Sequence, residues 1–188
     1  MYSIDLMVEE HKNINRMLAM IQKICCGILE GEEVDDTEHR EIIDFVRNYA
    51  NLHHHGKEEK ILFPEMVNTI GKVADQVITH GMLVEHQLGR AHVMAWETAL
   101  NMYKQNPKTE FKLDIITEAM GYAHLLQMHT EKENNAVYPL SERTLPAELW
   151  EDINNRVKIF EEEQTKAGVQ EKYLNLLARL EEKYMKER

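Results

Sequence analysis

With 188 residues and a mass of 22.1 kDa the chain is long enough for one domain with a full core, and it carries only eight glycines and four prolines amid abundant Leu, Met, Glu, Lys and Ala, a helix-favouring mixture. Thirty-three acidic against 22 basic residues leave a net charge of -11, which repels phosphates and excludes nucleic acid as the expected partner. No apolar run is long enough to span a bilayer, and the opening MYSIDLMVEEH lacks the basic flank and apolar stretch of a signal peptide, so the expectation is a cytoplasmic protein with no membrane partner.

In chain order, breaks at Gly31 to Asp36, near Gly71, at Asn106-Pro107 and between Pro139 and Pro146 divide the sequence into four long helices. They are predicted at about 4 to 30, 36 to 69, 74 to 105 and 108 to 140. Asp35 or Asp36 can cap the second, and Asn106 is the natural cap of the fourth, with Pro107 at its first helical position. Four helices on short loops predict an all-α, up-down-up-down four-helix bundle over residues 1 to 145. Two further helices, about 146 to 163 and 168 to 188, form a C-terminal extension. Each has an apolar face: Leu149, Ile153, Val157 and Phe160 on one, Tyr173, Leu177, Leu180 and Tyr184 on the other. They are expected to lie on the bundle or at a homodimer contact, the last being alternatively a solvated helix. The adjacent Cys25 and Cys26 diverge on the first helix and read as reduced thiols, with redox sensing as the competing role.

The first helix buries a stripe of Ile4, Met7, His11, Ile14, Leu18, Ile21, Cys25 and Ile28, so His11 takes a core position. The second has Ile43, Val46, Ala50, His54, Glu58 and Ile61. On the third lie Ile78, Met82, His86, Gly89, Val93 and Trp96, and on the fourth Ile115, Ala119, Tyr122, Leu126, His129, Glu133, Ala136 and Leu140. Three of these residues recur at one offset: His11, His54 and Glu58 are followed 75 positions later by His86, His129 and Glu133. Glu10 with Glu85, Lys57 with Lys132, Pro64 with Pro139 and the similar Phe63 and Tyr138 extend the match. Antiparallel helices level two residues when the loop lies midway between them, and every consecutive pair of the four histidines straddles a predicted break in that way. All four therefore share one layer.

Buried carboxylates without partners are costly or forced neutral, and four imidazoles around them also need partners, so a cationic centre is expected. His-x-x-x-Glu puts both side chains on one helical face a turn apart. Helices two and four thus offer a nitrogen and an oxygen each, and helices one and three a nitrogen each. That is more than one tetrahedral zinc needs and suits two ions bridged by both glutamates. Imidazole with carboxylate and no thiolate favours iron, then manganese or zinc.

The stretch His54-His55-Gly56-Lys57-Glu58-Glu59-Lys60-Ile61-Leu62-Phe63-Pro64 resembles the HHxxEExxLFP signature of the hemerythrin-like (HHE cation-binding) family. Glu10-His11, Glu85-His86-Gln87-Leu88-Gly89-Arg90 and His129-Thr130-Glu131-Lys132-Glu133-Asn134-Asn135 resemble its other segments. The resemblance implies two iron ions with an oxo or hydroxo bridge, held by His11, His54, Glu58, His86, His129 and Glu133. His54 is favoured over His55, which pairs with Thr130 at the repeat offset, and Glu58 over Glu59, which pairs with Asn134. Oxygen-carrying members use a His-x-x-x-His pair on the third helix and a late aspartate; here Met82 and Arg90 flank His86 and Glu133 stands instead, closer to symmetric bacterial di-iron proteins. Ferritin-like oxidases, the nearest competing fold, need Glu three residues before His, and no histidine here has it.

His55, His80 and His124 are the candidates for a fifth histidine; like Tyr122 they are expected to support the centre from outside it or to serve elsewhere on the surface or in the core. His39, His53 and His92 carry no signal. The resemblance implies a protein that binds or senses a small diatomic ligand, oxygen or nitric oxide. The competing readings are an enzyme that reduces nitric oxide, peroxide or oxygen or an iron donor in iron-sulfur centre repair, and an iron-responsive interaction module.

Overall fold

The computed structural model describes residues 1–185, and among them there is no strand. Helix α1 spans Tyr2–Glu30 and ends at Gly31, whose left-handed backbone (φ 106°) lets the Glu32 amide donate to the Gly27 carbonyl at 2.9 Å. Helix α2 runs continuously over 36–70, opened by Asp35, whose side chain accepts the Glu38 amide at 3.0 Å. Gly71, at φ 75°, breaks it from α3 (72–105), and α4 covers 109–144. The expected cap of α4 is corrected: Asn106 ends α3 in extended backbone, and α4 starts at Thr109 after an extended Lys108. Pro107 rigidifies that link instead of opening the helix.

The four helices form the expected antiparallel bundle, α1 packing on α4, α4 on α3 and α3 on α2. Two more follow, α5 (Ala147–Lys166) and α6 (Val169–Met185), which pack against each other and on the bundle. The solvated alternative for the last helix does not hold, because Tyr173, Leu177 and Leu180 are buried in the core. The last three positions of the predicted sixth helix, 186 to 188, lie outside the described residues. No described helix is long and apolar enough to cross a membrane.

The core is in two parts. One packs Ile14 to Ile28 of α1 with Phe45, Tyr49, Trp96 and Leu126, roofed by α6. The other packs Ile4 and Met7 with Phe63, Met66, Tyr138 and Ile78, roofed by α5 through Trp150, Ile153 and Val157. All the repeated His and Glu residues lie in the polar layer between them.

At this level the helices widen into π-helical turns, at Val46–His55 and Glu58–Leu62 in α2, Ile78–Met82 in α3 and Glu133–Val137 in α4. A wide turn accommodates an extra residue and often marks a functional site. In α4 it moves the buried stripe by one: Val137 and Tyr138 are buried, whereas Ala136, expected inside, is exposed and Leu140 only half-buried. Cys25 is buried and Cys26 exposed, both free, and burial pushes the Cys25 thiol up to about 12.

Candidate metal centre

Six side chains from four helices meet in the polar layer, none more than 2% exposed. Nε2 of His11 (α1) faces Nε2 of His54 (α2) at 2.8 Å, and Nε2 of His86 (α3) faces Nε2 of His129 (α4) at 3.0 Å. Two nitrogens bound at right angles, each about 2.05 Å from one ion, would stand about 2.9 Å apart. The carboxylates span the two pairs. Glu133 Oε2 lies 3.2 Å from His11 Nε2, while its Oε1 lies 3.2 Å from His129 Nε2 and 4.0 Å from His86 Nε2. Glu58 Oε2 is 3.8 Å from His54 Nε2 and 3.6 Å from His86 Nε2, and its Oε1 accepts the Tyr138 hydroxyl at 2.6 Å.

The outer nitrogens decide the tautomers. His54 Nδ1 donates to Glu10 (2.8 Å), His129 Nδ1 to Glu85 (2.9 Å), His86 Nδ1 to Glu59 (2.7 Å) and His11 Nδ1 to the Asn134 side-chain oxygen (2.8 Å). These partners accept only, so each Nδ1 carries a proton and, in the neutral ring, each Nε2 turns a lone pair inward. Their placement obeys the repeat: Glu10 and Glu85 serve His54 and His129, Glu59 and Asn134 serve His86 and His11. Lys57 holds Glu10 and Lys132 holds Glu85 in the same manner. The sequence matches Glu10 with Glu85 and Lys57 with Lys132 are therefore this outer support.

Lone pairs and carboxylates converging in a dry layer repel unless a cation joins them. Glu58 Oε2 and both oxygens of Glu133 make no hydrogen bond. Burial, then the charge of Glu133, raises Glu58 well above the usual carboxylate range. Burial would raise Glu133 too, but His129 and His11 hold it well below that range. Burial and the neighbouring His11 bring His54 down to about 3. His129 is lifted to about 9, its burial outweighed by Glu133.

Among the described residues three groups bring ligand-capable atoms within 4.8 Å of one another. His11, His54, Glu58 and Glu133 make one, and His55, Glu58, His86 and His129 another, so Glu58 belongs to both. The third, Glu10, His53 and Glu161, encloses the ammonium of fully buried Lys57, which ion-pairs with both glutamates; its cation is a side chain. Imidazole and carboxylate donors without thiolate fit a metal cation.

The supporting candidates separate. His80 is exposed beside Asp75 and His124 is exposed on the outer face of α4, so neither supports the centre. Tyr122 is buried, its phenol pushed up by burial, and lines a cavity of about 180 Å³ that also touches His55, His86, Gly89 and Val93. Exposed Met94 also lines this cavity, which thus connects the surface to the His86 side of the centre. His55 is only 4% exposed and faces the centre, a position that 100° periodicity does not give. His53, without signal in the sequence, is buried and donates to Glu10 at 3.0 Å. The wide turn of α2 buries three histidines in succession, and the run His53-His54-His55 at a signature was the available clue. No curated protein matches the chain. Residues 2–141 match the model of the hemerythrin HHE cation binding domain.

Proposed function

The chain belongs to the hemerythrin HHE cation-binding domain family, and from that premise we propose that it is a cytoplasmic non-heme di-iron protein that binds or senses oxygen or nitric oxide. His11 and His54 would hold one ion and His86 and His129 the other, with Glu58 and Glu133 as carboxylate donors to both. The observation that carries this reading is the spanning of two facing imidazole pairs by the same two carboxylates. The repeat of ligands and of their outer partners supports the symmetric, two-Glu type within the family. Residues 1–145 are then the di-iron bundle and 146–188 an extension that roofs it.

A di-iron centre supplies redox-active coordination positions for a small ligand. The chain's own residues do the rest: Glu10, Glu59, Glu85 and Asn134 orient the imidazoles, and the two core halves close the layer from above and below. The cavity beside His86 provides the approach. Because it reaches only one side, it also favours a second reading, an enzyme that reduces nitric oxide, peroxide or oxygen at that side.

The test is an anaerobic optical spectrum of the iron(II)-loaded protein, followed through oxygen addition and argon flushing. Charge-transfer bands that appear and vanish on flushing support reversible binding. Persistent bands signify oxidation, and consumption of nitric oxide or peroxide on repeated addition establishes the enzyme. Failure to load two irons per chain overturns both.

A further inference from the structure

We propose that the small ligand is seated on the His86 side of the centre by a hydrogen bond from His55, in a passage that Gly89 opens. The proposal rests on the functional reading above and adds the residues that hold and admit the ligand. The His55 and His86 rings lie face to face, with centroids 3.8 Å apart and planes 9° from parallel. The N–H bond and lone pair of an imidazole lie in its ring plane. A cation in the plane of His86 is therefore not one that His55 can ligate as well. What the edge of His55 addresses is the space beside that plane, where a ligand rising from such a cation would stand.

His55 is free for that role. Its neighbours His53 and His54 both donate to Glu10, whereas neither ring nitrogen of His55 has a hydrogen-bond partner in the protein. One of its nitrogens lies within 4.8 Å of a ring nitrogen of His86, one of His129 and an oxygen of Glu58, close enough for a diatomic at the centre to meet it. His55 and His86 both line the cavity of about 180 Å³, which has room for several waters at about 30 Å³ each. Such waters solvate the imidazole until a ligand displaces them. The walls of Val46, Val93 and Leu126 favour a neutral, weakly hydrated ligand with one hydrogen-bond-accepting end, as oxygen and nitric oxide are, over a charged anion.

The repeat supplies the internal control. A related groove between α1 and α4 is lined by Asn15, Leu18 and Ala19, which stand 75 positions before Arg90, Val93 and Met94 of the cavity, but by none of the six residues of the centre. Two positions differ. Where the cavity has Gly89, the other half has the buried side chain of Ile14. Where the cavity has His55, the other half has Thr130, whose hydroxyl donates to the Gln127 carbonyl at 3.1 Å and accepts from Asn15 at 3.3 Å. A Cβ at Gly89 would lie 3.3 Å from Leu126 Cδ2 and 3.6 Å from Tyr122 Cε2, both on the cavity wall, so any side chain there narrows the passage. Only the His86 side has both the opening and an uncommitted hydrogen-bonding group.

The decisive experiment mixes the iron(II)-loaded full chain with nitric oxide, measuring association and release by stopped flow and the N–O stretch of the adduct by infrared spectroscopy. His55→Phe keeps the stacked ring but has no N–H; it should release nitric oxide roughly 2- to 12-fold faster, the range for an ordinary hydrogen bond, and raise the N–O stretch. His55→Gln, which returns an N–H, should recover both toward wild type. Gly89→Ala should slow association and leave the N–O stretch in place, and Thr130→Val should change neither rate. Iron content and far-ultraviolet dichroism identify a variant that fails to load or fold, and Gln is then read in place of Phe, with a stretch or release rate differing from wild type as the expected result. Unchanged release and stretch in the loaded His55 variants, or unchanged association in Gly89→Ala, overturn the proposal while leaving the functional reading intact. If the wild type takes up no nitric oxide the proposal falls, and if it takes up no oxygen either, the functional reading falls with it.

Discussion

Lys57 and Lys132 stand at equivalent positions of the two halves and each grips the glutamate that orients a histidine, yet Lys57 is fully buried and Lys132 is 45% exposed. The difference is α5, whose Glu161 joins Lys57 from the C-terminal side. Lys57→Ala should leave Glu10 and Glu161 without their cation and cost about 3–5 kcal/mol, as broken buried pairs do. Lys132→Ala should cost roughly 0–1 kcal/mol. Urea denaturation of the metal-free proteins checks this, and equal losses would mean that α5 does not matter to that half.

Removing both carboxylates of the centre should separate metal binding from folding. Glu58→Ala with Glu133→Ala is expected to abolish the binding of two ions while leaving a helical protein, since the metal-free layer loses two mutually repelling groups. Metal analysis beside far-ultraviolet dichroism is the check. Two tightly held irons in the double variant would refute the bridging role.

Tyr138 and Phe63 are repeat partners, but only Tyr138 has a hydroxyl to give to Glu58. Tyr138→Phe should be accommodated because the twin site already packs a phenylalanine beside His86. It should cost about 0.5–1.5 kcal/mol, the range for an ordinary hydrogen bond. Two irons should still bind, with an altered optical spectrum; an unchanged spectrum would show that this bond does not reach the metals.

Val93 lies on the cavity wall at 4% exposure. Val93→Phe should fill part of that space and slow nitric oxide or oxygen association without changing iron content. Stopped-flow mixing measures it, and an unaltered association rate would place the approach elsewhere.

His39 gives a pH dependence remote from the candidate centre. It is buried, accepts the Trp96 indole N–H at 3.1 Å, and burial brings it down to about 4 from 6.5. Below 6.5 the unfolded chain takes up a proton that the native state refuses. Stability should therefore be complete above that value and fall as pH drops from about 6.5 to about 4, by on the order of 2–3 kcal/mol. His39→Gln, which keeps an acceptor for Trp96, should flatten this window in urea titrations; an identical slope in the variant would remove His39 as its source.

The helices, their antiparallel order and the height of His11, His54, His86 and His129 were legible because they follow from periodicity and loop position alone. The orienting partners were half legible: the repeat paired Glu10 with Glu85, but that Glu59 and Asn134 serve His86 and His11 needs the packing of α2 on α3 and of α4 on α1. His55 and Tyr138 were hidden for a sharper reason. Both sit where the turn is wider than 3.6 residues, so 100° per residue aims His55 off the seam and makes Ala136 a core residue where Val137 and Tyr138 are. The role of α5 escaped because nothing in Glu161 or Lys57 announces a partner 104 positions away.

Each wide turn is in effect an insertion absorbed without a loop: the ends of α2 and α4 keep their register with their neighbours while the surplus residue is stored at the height of the centre. Shortening α2 by one residue there would heal the ladder to regular α-helical bonding and leave the helix ends in register, but turn the side chains at the height of the centre away from their places. The bundle would lose its centre by becoming more regular. Backbone irregularity thus helps to shape this centre, and a single-residue deletion would erase it without touching any of the six converging side chains.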